Sequence, residues 1–418
     1  MKCGPSWTST SPEASHEARQ SLPDLRHHHV RLGPRRADRR RDHAEAHHGG
    51  PTLTAPAHRG VAMSTPMTSH ERYRRVFSHQ EPDRLPMRDV FWGSTLERWR
   101  KEGLPEGVGP GEYFGFDKLA GIHMDNSPRF PTGVVEDTDE YTIYNTQWGV
   151  TQRNWKHRSG VPEFMEFRVV DRDSWAEAKE RMVPTEDRVN WKHLEENFET
   201  WRAEGRWIIA GAWFGFDVLH SWFVGTERVM MALVEDPEWV KDMIDTMLEL
   251  DLALMTMIWD RGYHFDCVQW PDDLGYVNGP LISPRSYREV VKPAHARMCD
   301  WCHNRGVFTW LHCCGGVMPL IPDFIDAGID GLQPLEQKAG MDVFELKRDH
   351  GDDLVLEGGI DVRKMPHADQ IEEEIRTKLP VLKQGGGYCF HSDHSVPDDV
   401  SFQDYCRVIE LAKEYGTY

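Results

Sequence analysis

Eight short apolar runs recur between residue 67 and the C-terminus, most of them separated by stretches of helical period, and this alternation limits the folds open to the chain. Strands are predicted over Leu85–Trp92, Leu119–Met124, Trp207–Ala212, Phe265–Trp270, Val307–His312, Gly331–Leu335, Leu354–Gly358 and Gly387–His391. Helices are predicted over Ser69–Ser78, Thr226–Asp260, Pro284–Asn304, Val317–Ala327, Asp342–His350, Ala368–Pro380 and Ser401–Tyr415. Strands that alternate with helices form right-handed units and a parallel sheet. Eight of them fit a closed (β/α)8 TIM barrel over residues 67–418 better than an open doubly wound sheet. No Gly-x-Gly-x-x-Gly follows the first strand to favour the open alternative. Residues 134–170 break the rhythm: Tyr141–Tyr144, Trp148–Gln152 and Phe164–Val170 read as a small antiparallel insertion.

Composition removes several classes of function. No apolar run reaches the roughly 20 residues of a membrane span, and a net charge of −19 argues against a nucleic-acid partner. Residues 1–66 carry 10 Lys and Arg against 6 Asp and Glu, with 8 of the 22 His and no hydrophobic period, and are expected to be a disordered basic tail. Eight cysteines without a signal segment point to a reducing cytoplasm rather than a disulfide framework. Cys299-Asp300-Trp301-Cys302-His303 matches a haem-attachment pattern, but it lies inside a predicted helix and reads as helix core.

A barrel places its chemistry at the carboxyl ends of its strands. Polar residues gather there: Asp125-Asn126, Asp272-Asp273, His312 with Cys314, Glu336, Asp361, and His391-Ser392-Asp393-His394. His312 and Cys314 lie two apart, so on a strand they share a face while Cys313 points away. An imidazole and a thiolate suit zinc, and three protein ligands with a fourth position open mark a catalytic site. The last strand offers the third ligand. His394 is the expected one, with His391 and Cys389 as alternatives. Asp273, Glu336 and Asp125 are the expected acid–base residues. Asp272, Asp361, Trp270 and His391 are expected to line the substrate.

From about Ser69 to Tyr415 the chain resembles the uroporphyrinogen decarboxylase superfamily. The landmarks are Pro82-Asp83-Arg84-Leu85-Pro86, Gly279-Pro280-Leu281-Ile282-Ser283-Pro284, His312-Cys313-Cys314-Gly315 and Asp330-Gly331-Leu332-Gln333-Pro334-Leu335-Glu336, followed by Gly358-Gly359-Ile360-Asp361 and His394-Ser395-Val396-Pro397. Within it, the chain is closer to the zinc- and corrinoid-linked methyltransferases than to true decarboxylases. Decarboxylases carry Arg-Gln-Ala-Gly-Arg after the first strand, where this chain has Phe91-Trp92-Gly93-Ser94-Thr95. The methyltransferases bind zinc through His-x-Cys and a later Cys, at whose place His394 stands here. The resemblance implies a zinc-dependent transfer of a methyl group between a small molecule and a corrinoid. A separate protein would carry that corrinoid, because the chain has no Asp-x-His-x-x-Gly segment. The alternatives are a metal-free lyase acting on a tetrapyrrole, and a barrel that binds without turnover.

Overall fold

The computed structural model describes residues 66–157 and 160–418. The expected tail, apart from residue 66, lies outside the described residues. The fold is α/β. A seven-stranded parallel sheet runs in the order β1 (Leu119–Ile122), β6 (Trp207–Gly211), β7 (Cys267–Pro271), β10 (Phe308–His312), β11 (Gly331–Gln333), β12 (Val355–Glu357) and β13 (Tyr388–Cys389). A four-stranded antiparallel sheet, β2 (Gly133–Asp137), β3 (Tyr141–Asn145), β4 (Val150–Trp155) and β5 (Glu163–Phe167), occupies the stretch that broke the alternation. The two-stranded hairpin β8 (Gly275–Tyr276) and β9 (Gly279–Pro280) follows β7.

Seven of the eight predicted parallel strands are strands of the large sheet. The first, Leu85–Trp92, is extended but pairs only in fragments, through parallel bridges Met87–Phe390 and Phe91–Val396. Phe390 N–H donates to the Pro86 carbonyl at 2.9 Å, and Asp117 N–H donates to the Met87 carbonyl at 2.9 Å. The segment therefore touches the last strand on one side and the residues leading into β1 on the other. Two local causes keep its ladder short. Pro86 has no N–H to give, and the Met87 N–H is taken by the Asp117 carboxylate at 2.8 Å.

The strands are apolar on both sides because both faces of the sheet are covered. On one face, Trp207, Ile209, Cys267, Trp310, Val355 and Cys389 pack against Tyr73, Val76 and Phe77 of the first helix, Ser69–Phe77. Tyr73 stacks on Trp207 with ring centroids 5.7 Å apart, and Phe77 meets Trp310 edge-on at 5.2 Å. The alternate residues Ile208, Val268, Trp270, Leu311 and Leu332 face the main helical core. Arg88 enters the first face. It pairs with Glu357 at 2.7 and 2.9 Å, and its guanidinium lies 4.2 Å from the Trp310 ring centroid. Both charges of this pair are compensated, as burial requires.

The helices follow their caps. Thr68 and Glu71 form a reciprocal capping box that starts the first helix. The run predicted as one helix over Thr226–Asp260 is two, Thr226–Glu235 and Pro237–Asp260. Asp236 caps the second and Pro237 opens it, a break that the Asp-Pro pair encodes locally. Trp148 fastens the antiparallel sheet to the residues after β6, with ring centroids 5.2 Å from Trp213 and 5.5 Å from Phe223.

One buried acid makes the fold sensitive to pH. Asp251, on the helix Pro237–Asp260, accepts from the Trp213 N–H at 3.1 Å and from Asn126 Nδ2 at 3.0 Å, while its Oδ1 is buried with no hydrogen bond. Burial pushes its pKa up to about 7 against those two bonds. Because the folded-state pKa exceeds the unfolded one, this group's contribution to stability is complete below pH ~4 and is lost as pH rises through ~7. At about 1.4 kcal/mol per unit, the loss is on the order of 4 kcal/mol. Asp251→Asn is expected to raise the melting temperature at pH 8 and to do so much less at pH 5. Thermal denaturation of both proteins at the two pH values checks this, and a gap that does not widen with pH refutes it.

Candidate functional site

The carboxyl ends of β7 and β10 bring three donor side chains together. β10 ends at His312, and the chain turns sharply at Gly315, which has φ +83°. A Cβ there would lie 2.2 Å from the Gly275 carbonyl carbon of the β8–β9 hairpin, so only glycine allows this approach. Gly316 N–H donates to the Tyr276 carbonyl at 2.9 Å and holds the hairpin against the turn. β7 is the strand beside β10, with His312 in register with Pro271. Asp273 therefore emerges next to Cys314 and accepts its backbone N–H at 2.8 Å.

His312 Nε2 lies 3.4 Å from Cys314 Sγ and 3.8 Å from Asp273 Oδ1. These three ligand atoms all fall within 4.8 Å of one another, the single such group of His, Cys, Asp and Glu among the described residues. Asp273 and Cys314 are buried and His312 is half-buried. Cys313 faces the other way, as the strand period requires, and its Sγ accepts the Leu274 N–H at 3.3 Å.

His394, the expected third ligand, is not part of this group. Its Nε2 stands 3.8 Å from Glu336 Oε1, and its ring lies 6.2 Å from that of Trp92. The cause is next door in sequence. Asp393 accepts the N–H groups of Val362 at 3.0 Å and Gln337 at 2.9 Å, which draws this loop over the ends of β11 and β12. Glu336 is buried, and its Oε1 accepts no hydrogen bond, with Lys338 Nζ at 3.4 Å. The alternatives to His394 do not join the group either. Cys389 packs in the cluster under the first helix, where burial pushes its thiol well above the usual range. His391 is buried, with Nδ1 2.6 Å from the Ser392 carbonyl and 3.6 Å from Asp89 Oδ1.

Four other expected residues have structural partners. Trp270 and Asp272 lie on the helix-packed side of their strand. Trp270 stacks on Phe214, while Asp272 pairs with His295 at 3.0 Å and accepts the Asp217 N–H at 2.7 Å. Burial pushes the Asp272 pKa up, opposed by His295. Asp125 is bound within its own loop to Arg129 Nε at 2.5 Å and Ser127 Oγ at 2.6 Å. Asp361 caps the turn Val362–Lys364, and Arg363 Nε bonds to it at 2.8 Å. Burial would raise the Asp361 carboxyl, but the bonds from Arg363 outweigh it and hold the pKa below the usual range.

Strand order in the assembled sheet accounts for Asp273 as the donor beside His312. β13 lies three strands from β10, whereas β7 is its neighbour. At about 4.8 Å per strand, only the neighbour brings its end residue beside His312 along the sheet.

An α/β fold of this kind, with its polar groups gathered where parallel strands end, now carries a family assignment. The chain belongs to the uroporphyrinogen decarboxylase (URO-D) family, whose model matches residues 202–415, just over half of it. Among solved structures, a methyltransferase from Methanosarcina mazei is similar in fold, with a TM-score of 0.58 and 16% identity over 83% of this chain and 99% of that one. No curated protein matches the chain. No helix among the described residues is long and apolar enough to cross a membrane.

Gly315→Ala tests the turn on which the donor group depends. A left-handed residue with a Cβ against the Gly275 backbone is expected to cost more than about 2 kcal/mol of stability. Urea denaturation measures this; an unchanged midpoint would show that the hairpin yields freely.

Proposed function

We propose that the chain is a zinc-dependent methyltransferase acting on a small molecule, with His312, Cys314 and Asp273 as the metal's protein ligands. The observation that carries this reading is the donor geometry. Zinc bonds of about 2.0–2.3 Å in a tetrahedron separate neighbouring donors by roughly 3.3–3.7 Å. The separations here are 3.4 Å between nitrogen and sulfur and 3.8 Å between nitrogen and oxygen, before any ion draws them in. When bound, zinc in such a three-ligand site would act as a Lewis acid on a substrate oxygen, or hold a substrate thiol as thiolate.

The chain's own groups have separable tasks in this reading. The Cys314 N–H donates to the Asp273 carboxylate, so one ligand's backbone orients the side chain of another. Glu336 and His394, with 3.8 Å between Oε1 and Nε2, handle the proton of the group that gains or loses the methyl. His391 and Trp92 border the substrate. The methyl group's other carrier in this reading is a corrinoid held by a separate partner protein. That the Methanosarcina mazei neighbour is itself a methyltransferase fits this reading. Arg88 bears on the lyase alternative. It is committed to Glu357 and Trp310, which leaves it poorly placed to anchor a tetrapyrrole carboxylate.

The parallel sheet is read as a closed (β/α)8 barrel, with Leu85–Trp92 as the eighth stave. Its support is the pair of 2.9 Å backbone bonds that this segment accepts, from the N–H groups of Phe390 and Asp117. The described cysteines are free thiols, in keeping with a cytoplasmic placement.

Elemental analysis of the purified protein is expected to find one zinc per chain. His312→Ala, Cys314→Ala and Asp273→Asn should each weaken zinc binding by at least about tenfold, and His394→Ala should leave it intact. Retained zinc in Asp273→Asn together with loss in His394→Ala would reverse the ligand assignment. Full methyl-transfer activity in zinc-free protein would overturn the function.

A further inference from the structure

A second cluster of ionisable groups lies directly behind the donor set and takes no part in it. Asp272 Oδ2 is 3.0 Å from His295 Nε2, and both side chains are completely buried. His295 Nδ1 lies 3.0 Å from the Tyr287 hydroxyl. Asp272 Oδ1 accepts the Asp217 N–H at 2.7 Å, and the Asp272 N–H donates to the His312 carbonyl at 2.8 Å. Asp272 thus ties together, by its backbone N–H, β7 and β10 and, by its carboxylate, the loop after β6 and the helix Lys292–His303. The loop after β6 is shaped for it: Gly215 has φ +115°, and a Cβ there would lie 2.5 Å from Asp272 Oδ2.

We propose that His295, acting through Asp272, is a positioning residue that aims the neighbouring Asp273 carboxylate at His312 and Cys314. The proposal rests on the reading that these three residues bind zinc. Its physical basis is the period of the strand. Successive side chains point to opposite faces, so whatever fixes Asp272 on the packed side fixes Asp273 on the open side. A carboxylate held from two directions, by His295 and by the Asp217 N–H, has a single orientation about the Pro271–Asp272–Asp273 backbone. The Asp272 N–H bond to the His312 carbonyl makes that same backbone the reference for the first ligand as well. Tyr287 holds the imidazole from its far side, so His295 Nε2 faces Asp272. Partners one layer behind a metal set its affinity by fixing ligand orientation, and their loss weakens binding by about 10- to 100-fold.

The test measures zinc dissociation constants of the full chain by competition with a chromophoric chelator, alongside melting temperatures. His295→Ala is expected to weaken zinc binding about 10- to 100-fold. Tyr287→Phe, which keeps the ring and removes only the hydroxyl, is expected to fall between wild type and His295→Ala. Asp272→Asn, which keeps an acceptor for the Asp217 N–H and replaces the oxygen that faces His295, is expected to weaken zinc binding in the direction of His295→Ala, and unchanged affinity in it overturns the route through Asp272. Leu382→Ala, in the remote helix Ala368–Leu382, supplies an equally buried control that lowers stability and leaves zinc affinity unchanged. If His295→Ala does not fold, Tyr287→Phe decides the matter alone. Zinc bound as tightly by Tyr287→Phe and His295→Ala as by wild type overturns the positioning role. Equal weakening in Leu382→Ala overturns it too, by reducing the effect to general destabilisation. Wild-type protein that binds no zinc instead refutes the metal reading, and the two failures are read separately.

Discussion

The parallel pairing of β7 with β10 sets the geometry from which the candidate site is built. His312 stands opposite Pro271, and the Asp272 N–H closes the last rung onto the His312 carbonyl at 2.8 Å. Beyond that rung the two chains leave the sheet side by side. The Cys314 N–H meets the Asp273 carboxylate at 2.8 Å, so the ladder is prolonged by a side chain where the backbone can no longer supply the acceptor. A register shift of one residue would turn Asp273 to the packed side and present Asp272 in its place. The convergence of the three donor side chains is therefore a property of sheet register first and of side-chain identity second.

The same alternation explains why the chemistry is confined to one end of the sheet. The rings of the first helix cover the amino ends, with Tyr73 on Trp207 and Phe77 on Trp310. Above them Arg88, clamped by Glu357 and lying over Trp310, fills the middle with a compensated charge. Trp310 is two residues below His312 on the same strand face, so the donor group sits on top of a packed layer. Packed side chains thus fill this face of the parallel sheet below the carboxyl ends of its strands.

The elements were legible in sequence because their signals are local. Apolar runs and helical period found seven strands of the sheet, and the spacing of His312 and Cys314 placed both on one face. Asp236-Pro237 also marks a helix break in plain view. The third donor was not legible, because it depends on which strands are neighbours. That order emerges only when the sheet assembles, and the last strand offered the imidazoles and thiol that suit zinc, His394, His391 and Cys389. Face assignment failed at β7 for a related reason. Cys267, Val268 and Trp270 are all buried, so the strand shows no polar alternation to reveal which parity points inward. Trp270 and Asp272 were accordingly expected at the site, whereas they pack against Phe214 and His295.

Charge gives a reason why the structure's donor set suits a divalent cation better than the set expected from sequence. A thiolate from Cys314 and a carboxylate from Asp273 carry two negative charges, and the His312 imidazole is neutral as a ligand. With zinc the set sums to zero. Two imidazoles and one thiolate would leave a net positive charge in a region where Asp273 and Cys314 are almost fully buried, and an unbalanced buried charge is costly. His394 stands instead beside Glu336, at 3.8 Å, outside the group of three donors.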